Sequence, residues 1–171
     1  MLLTVDPSLA ADVDPAWVEQ IVATVLSTLS ASPLGPCSST VKMDGEEADS
    51  SVEVSVTVGN DALLQELNQR YRGVDRPTDV LAFSLHSSED REPFVTPLEV
   101  ARQLGDVVIS YPRMRAQACA YGHTVRHQLA YLLTHGVLHL VGYDHHQDED
   151  FAAMRQQEER VIGQLGLTEA Q

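Results

Sequence analysis

His135 and His139 stand four residues apart in a stretch, 122–142, of strong helical character. A helical period places both imidazoles on one face, one turn apart, where they can share a tetrahedral metal ion. Leu129, Leu133, Val137 and Leu140 centre on a direction roughly a quarter-turn or more from that pair. One face can therefore anchor the helix while the other binds. Three residues past His139, Gly142 can take the left-handed backbone that ends a helix, so the chain can double back and deliver His145 to the same point.

The spacing is thus H-x3-H-x2-G-x2-H, the ligand arrangement of the metalloprotease pattern HExxHxxGxxH. There the glutamate beside the first histidine is the general base, and here that position is Gly136. The metal cage is present and the peptidase base is missing, so metal binding is favoured far more than peptide hydrolysis. One histidine on a buried helix is more often a hydrogen-bonded core residue than a ligand. Three in register with a helix-ending glycine reverse that reading. Three neutral imidazoles with one open position suit catalytic zinc ahead of other divalent ions.

The other histidines say less. His146 points away if His145 is the ligand, and His86 sits in a polar stretch. His123 and His127 are also four apart, but with no third partner they read as surface residues or as supports behind the ligands. Asp144 fits a capping role at least as well as one orienting a ligand. Arg72 falls at a helix end just before Gly73. It fits a solvated charge against the helix dipole, the simpler reading, or a rigid fork for phosphate. For Arg70 and Arg76 only the solvated reading arises.

These residues need a scaffold, and periodicity supplies one. Leu2–Val5 reads as a short edge strand ended by Asp6 and Pro7. Asp14-Pro15, followed by Trp17, Val18, Ile21, Val22, Val25 and Leu26, predicts a helix to about Leu29. Residues 30–50 are rich in Ser, Pro, Gly, Asp and Glu, and 31–50 is expected to be a flexible surface loop. Ser51 to Val58 alternates valine with polar residues, the period of a half-buried strand. Asn60 or Asp61 can cap a helix with Leu63, Leu64, Leu67 and Tyr71 as its apolar set and Gly73 as its stop. Val80–Phe83 and Asp106–Tyr111 read as strands flanking a polar loop, 86–99. Helices follow near 113–120, 122–142 and 147–164, the middle one apolar almost all round and therefore buried centrally. The expected fold is α+β: residues 1–171 as one domain, with a small mixed sheet of about four strands packed by helices.

Composition narrows the classes. The chain has 171 residues, 43% of them hydrophobic, too many for a disordered acidic chain. Cys37 and Cys119 form no CxxC pair, and no segment approaches a membrane span, so a reducing, cytoplasmic location is expected. The net charge of −14 argues against a broad duplex-binding groove. The acid excess sits at the two ends, however, and 107–143 contains Arg113, Arg115 and Arg126 with no Asp or Glu. An anionic substrate is therefore compatible with that region.

The run His135-Gly136-Val137-Leu138-His139-Leu140-Val141-Gly142-Tyr143-Asp144-His145 resembles the signature of the YbeY family, bacterial single-strand-specific metallo-endoribonucleases and rRNA maturation factors. The run from Tyr71 to Phe83 is similar to the family's YRGxDxPTxVLSF stretch, and Leu104–Ser110 to its LGDIxI strand. The resemblance extends from about residue 51 to 165, and loop 31–50 looks longer than the family requires. It implies one zinc held by His135, His139 and His145 with water or substrate in the fourth place, and a functional arginine at Arg72. It further implies action on single-stranded RNA, in maturation of the 16S rRNA 3′ end and in ribosome quality control. The ribosome or ribosomal proteins would be partners, with no DNA and no membrane. The alternative is a ribosome-assembly binding factor whose zinc is not catalytic; a structural zinc normally has four protein ligands, and three are evident.

Overall fold

The computed structural model describes residues 1–9, 12–30, 52–85, 102–144 and 148–167. The loops expected at 31–50 and 86–99, together with Cys37, His86, His145 and His146, lie outside the described residues. The elements are β1 (Leu2–Val5), α1 (Pro15–Ser30), β2 (Val52–Gly59), α2 (Asp61–Arg72), β3 (Val80–Ser84), β4 (Arg102–Ser110), α3 (Tyr111–Tyr121), α4 (Val125–Leu140) and α5 (Asp148–Gln164). This is an α+β fold around a mixed four-stranded sheet of order β1-β2-β4-β3. β1 and β4 run parallel to β2, and β3 runs antiparallel to β4.

Strand alternation sorts the side chains onto two faces. Val54, Val56, Val58, Val107 and Ile109 join Trp17, Ile21, Val25 and the α4 leucines in the main core. From the opposite face Leu81 and Val108 meet Leu64, so α2 packs on the sheet there. Each of these fully buried aliphatic side chains stabilises the fold by about 1.5–3 kcal/mol. α4 contacts α1, α3, α5, β3 and β4, the central place its all-round apolar sequence demands. Its start is fixed by Thr124, whose hydroxyl accepts from the His127 amide at 3.1 Å.

Three local expectations change. β4 begins at Arg102 rather than Asp106, passing through Gly105 at φ +147°, beside the register shift at Glu53/Val54. A Cβ on Gly105 would come within 2.1 Å of the Phe83 carbonyl oxygen, so glycine here permits strand contact instead of breaking the strand. Tyr111 is the first residue of α3, not the last of the strand, because Ser110 caps that helix. Tyr71 lies 59% exposed, its ring edge-on to Phe83 at 5.0 Å, rather than in the core.

Gly136 owes its identity to packing. A Cβ there would stand 2.6 Å from Val107 Cγ1, so the absent side chain lets α4 lie directly on β4. A glutamate base at this position has no room. Gly136→Ala is expected to destabilise the protein by about 1–3 kcal/mol in urea unfolding, with partial recovery in the Gly136→Ala/Val107→Ala double variant. Additive losses in the double variant would contradict this contact.

Candidate metal centre

α4 delivers His135 and His139 with their rings 4.6 Å apart at 80° and their Nε2 atoms 3.1 Å from each other. The opposite ring nitrogens fix the proton positions. His139 Nδ1 lies 2.9 Å from the Tyr143 carbonyl oxygen, and His135 Nδ1 lies 2.8 Å from Glu158 Oε1 on α5. A carbonyl and a carboxylate only accept, so both Nδ1 atoms carry hydrogen and donate it. In neutral rings both Nε2 lone pairs then face one another, which is repulsive unless a cation lies between them. Two nitrogens each about 2.0–2.1 Å from a tetrahedral ion stand roughly 3.3 Å apart, close to the separation seen. The residues present therefore fit a metal ion of the imidazole-binding kind.

Local structure makes these partners available. After Leu140 the chain turns through Gly142 at φ +92°, the Tyr143 amide donates to the Leu138 carbonyl at 3.0 Å, and the Tyr143 carbonyl is brought back to His139. Tyr143 is held by burial against Leu138 and Met154. Glu158 comes from the inner stripe of α5, between buried Met154 and Val161, and its side chain is only 9% exposed. A carboxylate so buried needs partners, and His135 supplies one. The sequence reading missed Glu158. An acid on the same helical stripe as Met154 and Val161 was the signal available. Among the described residues no further His, Cys, Asp or Glu joins the pair into a larger donor group; His145, the third expected ligand, lies outside them.

His135 lines a cavity of about 560 Å³ with His123, His127, Tyr131, Phe151 and Glu158. Tyr131 stacks loosely beside His135, ring centroids 6.3 Å apart. Burial, reinforced by the negative Glu158, pushes the Tyr131 phenol up, so it stays neutral. His123 and His127, their rings 4.1 Å apart, thus belong to the same cavity as His135.

Arg72 lines a different cavity of about 480 Å³, between the end of α2 and the start of α3. The structure thus brings His135 and His139 together and places Arg72 in a neighbouring recess. A side-chain hydrogen-bond chain joins the two cavities. Gln117 Nε2 donates to Asp79 Oδ2 at 2.7 Å, Gln128 Nε2 to Gln117 Oε1 at 2.9 Å, and Gln128 Oε1 meets His123 Nδ1 at 3.4 Å. Burial raises the Asp79 carboxyl, but hydrogen bonds from Gln117, Thr78 and backbone amides outweigh it and hold the group below its ordinary value.

A family model described as Endoribonuclease YbeY matches residues 37–166. The chain is 51% identical over 124 residues to an Endoribonuclease YbeY of Desulfitobacterium hafniense, covering 72% of this chain and 76% of that one. It is 43% identical over 163 residues to an Endoribonuclease YbeY of Roseiflexus castenholzii, covering 95% and 90%. The solution structure of TM1509 from Thermotoga maritima aligns over 96% of this chain and 91% of that one, with a TM-score of 0.51 and 22% identity, a likeness of fold.

Proposed function

The chain belongs to the endoribonuclease YbeY family, and from that premise we propose that it is a zinc-dependent endoribonuclease. Its substrate is single-stranded RNA, in the cell the ribosomal RNA of the small subunit near the 16S 3′ end. The observation that supports a metal enzyme is the facing pair of Nε2 atoms on His135 and His139, each with its Nδ1 proton already committed.

His135 and His139 would hold the ion together with His145. Bound there, zinc supplies an acidified water, with a pKa near 7, and positive charge for a phosphoryl oxygen. Glu158 keeps the His135 proton on Nδ1 and the Tyr143 carbonyl does the same for His139, so neither ring can flip into the wrong tautomer. Tyr131, 38% exposed, offers a neutral ring face on which an unpaired base can stack. Arg72, at the rigid end of α2, presents a fork that neutralises charge developing on phosphate oxygens.

Zinc-reconstituted protein is expected to cleave a single-stranded oligoribonucleotide and to leave the same sequence intact in a duplex. Chelation stops the reaction and added zinc restores it. Arg72→Ala is expected to lower kcat by about 10²-fold with zinc content unchanged. Cleavage that survives chelation and is equal in Arg72→Ala would assign the activity to a contaminant. A ribosome-assembly binding factor would then be the better account.

A further inference from the structure

We infer that the cavity between α2 and α3 is a phosphate subsite for the RNA strand, built by Arg76 and Arg113 alongside Arg72. The inference rests on the ribonuclease reading and adds the path of the substrate backbone away from the metal centre. Three guanidinium groups line this one recess of about 480 Å³, in a protein whose net charge is −14. Like charges gathered on one concave wall repel and raise the local potential, which an anion relieves.

The acids nearby do not relieve it. Among the described residues Asp79 is the single carboxylate lining the recess, and its oxygens accept from Gln117 at 2.7 Å and from Thr78 and the Val80 amide at 3.0 Å each. It is thereby fastened into the protein. Arg113 has Asp61 at 3.2 Å, an exposed pair of little strength that leaves most of its donors available. Arg72 and Arg76 have no carboxylate within ion-pair distance among the described residues.

The recess is also stiff. Gly73 turns the chain at φ +69°, the Val74 amide donates to the Asn68 carbonyl at 3.3 Å, and the Arg76 amide to the Val74 carbonyl at 2.9 Å. The buried Asn68 side chain donates to the Arg76 carbonyl at 2.7 Å. The backbone bearing Arg76 is therefore held from two sides, and a phosphate can bind without paying to order it. Arg76 occupies a position the YRGxDxPT pattern leaves open, which is why its sequence suggested only a solvated charge. The hydrogen-bond chain from Asp79 through Gln117 and Gln128 to His123 links a residue lining the recess to one lining the histidine cavity.

The test is the salt dependence of binding, measured by fluorescence anisotropy with a non-cleavable 2′-O-methyl single-stranded oligoribonucleotide. Each phosphate contact contributes about 0.7 to the slope of log K against log salt for a single strand. Arg76→Ala is expected to weaken binding several-fold and make the slope shallower by about 0.7, and Arg76→Lys to restore the slope. Arg113→Lys is expected to keep it. Arg70→Ala removes the same charge from an exposed site on α2 outside the recess and is expected to leave the slope unchanged. If wild type binds and cleaves RNA while Arg76→Ala and Arg70→Ala give the wild-type slope, the subsite is wrong and the ribonuclease reading stands. If wild type neither binds nor cleaves, both fall.

Discussion

His139→Ala is expected to lose bound zinc and to cleave single-stranded RNA at least about 10³-fold more slowly than wild type, while folding normally. The loss follows from the several kcal/mol of charge stabilisation that a metal supplies at a phosphoryl oxygen, each 1.36 kcal/mol being tenfold in rate. The fold survives because the helix is anchored by Val137, Leu138 and Leu140, all buried, while His139 itself is only partly buried. Removing it leaves His135 Nε2 without the partner nitrogen 3.1 Å away, so the ion loses one of the two imidazoles that α4 would supply. Elemental analysis and circular dichroism on the same sample check both halves. Full zinc content with wild-type activity would show that the facing nitrogens do not hold the ion.

Glu158→Gln is the second large effect, expected to weaken zinc binding by about 10–100-fold, with a matching fall in cleavage at limiting zinc. The carboxylate sits 2.8 Å from His135 Nδ1 with its side chain 9% exposed. An ionised acceptor makes the ring more basic at Nε2 and holds the required tautomer; the neutral amide keeps the shape and loses most of that polarisation. Saturating zinc should restore most of the rate in Glu158→Gln, because no reacting atom contacts this group. A rate that stays low at saturation would instead place Glu158 in the proton transfers. Competition with a chromophoric chelator gives the affinities.

The adjacency of His135 and His139 was legible in the sequence because it is local: four residues apart on one helix, a spacing the backbone converts directly into contact. The same holds for the turn at Gly142 and for the valine alternation of β2. Glu158 and the Asp79–Gln117–Gln128 chain were not legible. They meet their partners only after α3, α4 and α5 pack, and a buried acid or amide on an amphipathic helix carries no mark of the residue it will face. The early start of β4 was not legible either, because the pairing of Arg102–Gly105 with β2 and the close pass of Gly105 by the Phe83 carbonyl exist only once the sheet has formed. Arg76 shows the same limit at the surface, since a charge in a turn looks solvated until the recess around it is drawn.

X-ray absorption at the zinc edge of the reconstituted protein reads the coordination of the ion itself. One zinc per chain is expected, in a low-coordinate nitrogen and oxygen shell at about 2.0–2.1 Å, with multiple-scattering features of at least two imidazoles. In His139→Ala that signal should vanish. A shell containing sulfur, a sphere closed by four protein donors, or an unchanged spectrum in His139→Ala would contradict it.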